Sequence, residues 1–399
     1  MLEFWHSFVV HLEKNEAINH KMKYFNIIML AIALPLFTAC QKDNEEQVSE
    51  VSISSLNFIG EQVIPDNATF NGSVVGGLSS IDYANGIYYL ISDAPAAPIR
   101  YYTAQLTFDQ SSFSKVEILS QVELLDKSGN AFANDQADPE AIRLIPSSGN
   151  IIWTSEGYVD GRGVNPFIRE ASANGQFVKE YTIPALFQAS TQADQGPRNN
   201  GTFEGISRSV DGKGYWVAME LPLIQDGDAP TFGTTTQSPV RISYVDQATG
   251  EFGRQFVYEL GPVVRSGNFM INGVVEVLAY AENKFLVLER SFATGYSDGG
   301  NNVRIYKVDA SSATDVSTMN SLKGATYTPA TKTLLFDFED IRAQLSTAGG
   351  TDRVVDNIEG IAFGADLPNG NKSLVLVADN NFSAFGQQLN QFVVFEVIP

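Results

Sequence analysis

The stretch EGISRSVDGKGYWVAME, Glu204 to Glu220, decides the fold. It starts on an acid, runs through a short apolar strand at Ile206, turns at Asp211-Gly212, returns through Tyr215-Trp216-Val217-Ala218-Met219 and ends on a second acid. Asp-Gly between two β-rich runs is a strong hairpin signal, because the left-handed turn it permits matches the twist of the flanking strands. The plan recurs four more times: Gly77-Leu78-Ser79 to Ser92-Asp93, Glu140-Ala141-Ile142 to Ser155-Glu156, Glu276-Val277-Leu278 to Leu288-Glu289, and Glu359-Gly360-Ile361 to Ala378-Asp379. Turn residues fall near each midpoint, at Asn85-Gly86, Ser148-Gly149, Glu282-Asn283 and Asn369-Gly370. Repetition of this kind means one supersecondary unit used several times.

Further strand-like stretches follow each hairpin: 99–108 and 115–124, 167–171 and 177–183, 241–245 and 254–260, 303–308 and 334–338. Four strands per repeat is the content of a propeller blade. The last repeat offers three, ending in Phe392-Val393-Val394-Phe395-Glu396-Val397, and Ser54 to Val63 can supply its fourth. Pairing the two chain ends in this way would leave few exposed edges. The expected fold is therefore all-β, a β-propeller of five blades over residues 56–399. Six blades are possible, since the long repeat spacing leaves room for another near residues 294–345. Ile341 to Leu345 is the one helical-looking turn in the folded part.

Residues equidistant from a hairpin turn face each other about 5 Å apart. This reading sets Glu140 against Glu156 and Glu204 against Glu220, and like charges placed so are destabilising unless something neutralises them. A hard cation is one answer; solvated acids capping strand ends are the other. Because the first strand of each blade lines the central channel, Glu140, Glu204, Glu276 and Glu359 would converge at one face. Asp93, Glu156, Glu220, Glu289 and Asp379 would form a second ring nearby. Ligation by oxygen alone suits Ca²⁺ better than zinc or copper. The expected metal ligands are Glu140, Glu204, Glu276, Glu359 and Asp379, with Asn380 and Asn381 beside them.

Forty-four per cent of the 399 residues are apolar, enough for a sizeable core, and 46 acids against 26 Lys and Arg give a formal charge of −20. Such a surface repels a polyphosphate backbone, so nucleic acid is not an expected partner. The single cysteine leaves no intramolecular disulfide and no Cys-rich zinc site. The amino terminus explains that cysteine. After Met22 and Lys23 comes an apolar run, Ile27 to Leu36, and then Phe37-Thr38-Ala39-Cys40. This is the order of a secretory signal, with an h-region too short to span a membrane. The last four residues resemble the lipobox of bacterial lipoproteins, in which Cys40 is lipidated and becomes the first mature residue. On this reading residues 1–21 precede the true start, 22–39 are signal peptide and 40–55 a polar tether. The chain would then be held at a membrane only by its lipid. The run Gln41-Lys42-Asp43-Asn44-Glu45-Glu46 resembles a short acidic signal for the outer face of a Gram-negative outer membrane, and equally suits an ordinary solvated tether. His6, His11 and His20 all precede the cut. Without imidazole or thiol, triad esterases, phosphohistidine enzymes and Cys-dependent phosphatases are excluded.

Several strings are familiar in order: Asp138-Pro139-Glu140-Ala141-Ile142, Ile152-Trp153-Thr154-Ser155-Glu156-Gly157, Phe203-Glu204-Gly205-Ile206, Val217-Ala218-Met219-Glu220, Leu286-Val287-Leu288-Glu289-Arg290, Asp356-Asn357-Ile358-Glu359-Gly360-Ile361 and Ala378-Asp379-Asn380-Asn381-Phe382. Over roughly residues 75–397 they resemble the phytase-like domain described as having esterase-like activity. The resemblance implies a secreted β-propeller whose acids carry phosphoester hydrolysis. By position it carries over Glu140, Glu156, Glu204, Glu220, Glu289, Arg290, Glu359 and Asp379. The first repeat departs, with Gly77 where the other four have Glu.

The chemistry left is cation-assisted attack of water on a small anionic phosphoester, a carboxylate taking the proton. Glu204, Glu220, Glu156, Glu289 and Arg290 are the expected catalytic residues. Arg290, Arg162 and Asn380 are the expected substrate contacts, arginine being suited to bidentate phosphate recognition. A non-catalytic binding propeller with a structural calcium site is the alternative. Ser112-Phe113-Ser114-Lys115 fits the loose S-x-x-K pattern but lies in an expected strand and is set aside.

Overall fold

The middle strands of the hairpins read as unbroken apolar runs because each is covered on both faces by neighbouring blades. Leu374 to Ala378 is buried throughout, as is Ile151 to Ser155. The computed structural model describes residues 50–94, 96–234 and 237–399. The signal segment, Cys40 and most of the expected tether lie outside these residues.

Strand β1 (Ser55–Ile64) is followed by a small hairpin, β2 (Thr69–Phe70) and β3 (Ser73–Val74). Five four-stranded antiparallel sheets make the blades. The first is β4 (Leu78–Ala84), β5 (Ile87–Ser92), β6 (Arg100–Phe108) and β7 (Phe113–Glu123); the second is β8 (Pro139–Ile145), β9 (Asn150–Ser155), β10 (Phe167–Ala171) and β11 (Phe177–Glu180). The third is β12 (Phe203–Arg208), β13 (Gly214–Met219), β14 (Pro239–Asp246) and β15 (Phe252–Glu259); the fourth is β16 (Met270–Ala281), β17 (Lys284–Ala293), β18 (Asn301–Asp309) and β19 (Thr331–Asp337). The fifth joins β20 (Ile358–Phe363), β21 (Ser373–Ala378) and β22 (Asn390–Ile398) to β1, with Ser55 opposite Ile398 and Ile64 opposite Asn390. The chain ends therefore close the ring as expected.

Five blades, not six, are present among the described residues. The long insertion after β18 carries no strand of its own up to β19. It packs Val316 and Leu322 against Val257 of β15 instead. The region around Ile341 holds two short 3₁₀ turns, Phe338–Asp340 and Arg342–Gln344. Aromatic contacts weld neighbouring blades. Trp216 of β13 meets Phe285 of β17 with ring centroids 5.2 Å apart, an edge contact of the kind aromatic quadrupoles favour.

The polar tether was expected to run through Ser55, and the folded part starts earlier. Ile53 is buried, Val51 N donates to Tyr280 O at 2.8 Å and Lys307 Nζ donates to Ile53 O at 2.6 Å. Apolar Val51 and Ile53 alternate with serines, which is itself a strand-like pattern. This segment lies beside the β16–β17 turn, on the face of the ring that carries the hairpin turns.

Candidate active site

A bulge recurs at one place in the innermost strand of every blade, and it builds the site. The register slips between Leu78 and Ser80, Pro139 and Ile142, Phe203 and Gly205, Val274 and Glu276, and Ile358 and Gly360. A bulge inserts one unpaired residue and re-aims the side chains around it. The expected pairing of Glu140 with Glu156 and of Glu204 with Glu220 is therefore corrected. Glu156 N bonds Asp138 O at 2.9 Å and Glu220 N bonds Thr202 O at 2.7 Å, while Glu140 and Glu204 occupy the bulges.

Blade by blade, the bulge position holds Ser79, Glu140, Glu204, Val275 and Glu359. The residue leaving the second strand is Asp93, Glu156, Glu220, Arg290 and Asp379. Its partner at the strand entrance is Gly77, Asp138, Thr202, Gly273 and Asn357. Gly77 thus corresponds to Asn357 and not to a glutamate; Ser79 is the residue that stands where three other blades have Glu. In the fourth blade Arg290 takes a slot that is acidic in the other four.

These positions gather eight carboxyl groups, Asp93, Asp138, Glu140, Glu156, Glu204, Glu220, Glu359 and Asp379, with Arg290 as their one cation among the described residues. Arg290 Nη2 lies 3.0 Å from Glu359 Oε1, which also accepts from Asn357 Nδ2 at 2.9 Å. Glu220 is fully buried, and neither of its oxygens has a hydrogen bond; Arg290 Nη2 is 3.6 Å from one of them. Gly273 makes this possible, since a Cβ there would sit 2.4 Å from Glu220 Oε1. Thr202 N donates to Glu156 Oε1 at 2.6 Å. Ligand oxygens of Glu140, Glu156 and Glu204 lie within 4.8 Å of one another, as do those of Asp93, Asp138 and Glu140.

Crowded buried acids resist ionisation. Burial first, and then Glu204, Asp93 and Glu156, push the Glu140 carboxyl well up. Glu204 is pushed well up by burial and then by Glu156, Glu220 and Glu359, with Arg290 opposing. Burial raises Glu220 to about 7 against the pull of Arg290. Asp93 and Asp379 are also raised well above the ordinary range, burial leading in both.

Four expected site residues lie elsewhere. Glu276 follows its bulge by one residue and is not in the ring. It forms a fully buried pair with Arg143 at 2.8 Å and accepts from Ser80 Oγ, Ile206 N and Val277 N. Arg143 in turn bonds Ser80 Oγ, Ile81 O and Ile361 O, so this pair ties all five inner strands together across the channel. Glu289 faces away, accepting from Tyr258 Oη at 2.5 Å and Lys332 Nζ at 2.7 Å. Asn380 spends its Oδ1 on Gly77 N and Phe382 N, capping a 3₁₀ turn at Asn381–Ser383. Arg162 is half exposed, paired with Asp160 and Asp135, and stacked 3.8 Å over the ring of Tyr158, whose hydroxyl bonds Asp138. It stands at the rim, not in the ring. Glu140, Glu156, Glu204, Glu220, Arg290, Glu359 and Asp379 do converge. Asp138, two residues before Glu140 on the same strand entrance, joins them without any role expected from the sequence.

The sequence profile described as Phytase-like: Esterase-like activity of phytase matches residues 73–382, well over half of the chain. No curated protein matches. Among solved structures, the chain is similar to a xylan β-1,4-xylosidase from Bacillus halodurans C-125 at 9% identity and TM-score 0.42, over 79% of this chain and 52% of that one. It is also similar to the major allergen Mala s 1 of Malassezia sympodialis at 10% identity and TM-score 0.39, over 87% and 97%. An exo-β-1,3-galactanase from Bifidobacterium bifidum s17 aligns at 11% identity and TM-score 0.40, over 87% and 94%. The chain spans about half the length of the xylosidase.

Proposed function

Because this chain belongs to the phytase-like family, we propose that it is a cation-dependent phosphoric ester hydrolase working at the carboxyl ring. One observation carries the reading: among the described residues, eight acids face one another around the channel mouth with a single guanidinium among them. The donor set fits a hard cation, since it is all carboxylate and includes the buried, unbonded oxygens of Glu220. Glu140, Glu156 and Glu204 would hold Ca²⁺. Bound there, the ion supplies Lewis acidity toward a phosphoryl oxygen and a more acidic water. Arg290, with its Nε unpartnered, orients the anion beside Glu359. Glu220, free of hydrogen bonds, takes a proton from water.

Purified mature protein is expected to release phosphate or p-nitrophenol from mono- or diester substrates. Chelation with EGTA abolishes turnover, and Glu204→Gln lowers it by about 100-fold or more. A second reading, a binding propeller with a structural calcium site, is favoured by the depth of the ring, whose Glu140, Glu204 and Glu359 are at most 8% exposed. Loss of thermal stability on chelation with no ester turned over would select it. We propose also that lipid on Cys40 holds the mature chain at the outer membrane of a Gram-negative envelope. Mass spectrometry of the mature amino terminus tests this.

A further inference from the structure

We propose that the ring is a two-ion centre in which Glu140 is the shared ligand, one divalent cation lying among Asp93, Asp138 and Glu140 and the other among Glu140, Glu156 and Glu204. The proposal rests on the cation reading above and goes beyond it by assigning a second ion and its ligands. Two sets of three carboxylates each bring their oxygens within 4.8 Å, and the sets have one member in common.

Glu140 supplies a second observation, independent of that clustering. It is 8% exposed, and among the described residues no N–H or O–H donor bonds its carboxylate, whereas buried polar groups ordinarily have such a partner. Its neighbours are otherwise engaged. Glu156 Oε1 accepts from Thr202 N, and Asp138 bonds the Tyr158 hydroxyl. A carboxylate with both oxygens available and acids on either side has the form of a bridging ligand, one oxygen to each ion. Paired cations about 4 Å apart are a recurrent arrangement for clamping a transferred phosphoryl group. Carboxylate oxygens throughout select Ca²⁺ or a similar hard ion over zinc or copper. Arg290 marks the limit of the centre, since it neutralises Glu359 and faces Glu220 on the side where no third set forms among the described residues.

The test is calorimetric titration of the chelator-stripped full mature chain with CaCl₂, which needs no turnover. Two ions per chain are expected. Asp138→Asn and Glu156→Gln should each reduce the count to one, and Glu140→Gln should weaken both by about tenfold or more. Asp93→Asn serves in place of Asp138→Asn if that variant does not fold, as judged by circular dichroism. One ion in the wild-type chain, or a count unchanged by both aspartate variants, overturns the shared centre and leaves the cation reading standing. No binding at millimolar Ca²⁺ overturns the cation reading itself.

Discussion

Arg143→Met tests the closure of the channel beneath the ring. Its guanidinium and the Glu276 carboxylate are 2% and 0% exposed and 2.8 Å apart. Removing the arginine leaves Glu276 with three donors, Ser80 Oγ at 2.8 Å, Ile206 N at 2.9 Å and Val277 N at 3.0 Å, but with no counter-charge. Stranding one member of a buried pair costs about 3–5 kcal/mol. Burial already raises Glu276 to about 7 even with Arg143 opposing. A carboxyl raised in the folded state contributes stability that is complete below its unfolded value and lost as pH rises through the folded one. Without Arg143 the carboxyl moves further up, so the variant should be most damaged at about pH 8 and recover toward about pH 5. Urea denaturation of Arg143→Met, Glu276→Gln and the double variant measures this. The coupling between the two sites should reach about 2 kcal/mol at about pH 8. A loss under about 1 kcal/mol for Arg143→Met, or an equal loss at both pH values, would refute the reasoning.

Gly273→Ala places a methyl group 2.4 Å from Glu220 Oε1, so the carboxylate must move. Ester turnover should fall by about tenfold or more while the urea midpoint shifts by no more than about 1–3 kcal/mol of stability; unchanged turnover would remove Glu220 from the reaction. In chelator-treated protein, Glu220 raised to about 7 predicts that the melting temperature falls as pH climbs from about 4.5 through about 7, and that excess Ca²⁺ removes the fall. Deleting residues 50–64 strips the outer strand from the fifth blade and leaves β22 with an open edge. Size-exclusion chromatography should then show aggregate in place of monomer.

The architecture was legible because apolar runs, Gly-containing turns and five repeats all point the same way. In the first turn, Asn85 and Gly86 both take the positive φ that Asn-Gly predicts. Register was not legible, because a bulge adds one residue without any change in composition, and a slip of one exchanges the faces of a strand. Glu276 and Glu289 were both misplaced for this reason, whereas Arg290, expected as a catalytic and substrate-contacting residue, does lie among the ring acids. Glu276-Val277-Leu278 repeats the acid-x-aliphatic spacing of Glu140-Ala141-Ile142, Glu204-Gly205-Ile206 and Glu359-Gly360-Ile361, so the spacing alone does not separate it from them. The observed register does, setting Val275 beside the three ring glutamates and Ser79 beside them in the first blade. Charge partners were harder to foresee. Nothing in Asn380-Asn381 distinguishes a capping amide from a ligand, and the commitment of Asn380 to Gly77 joins residues 303 positions apart.

Closure of the fifth blade by β1 and β22 also orders events at birth. The first strand of the propeller finds its partner in the last, and Ser55 must wait for Ile398. Four blades can assemble as they emerge, but the circle is sealed only once β22 has emerged, so the nascent propeller carries an unsatisfied edge until then. Truncation by a premature stop would therefore forfeit the joint on which the whole annulus depends.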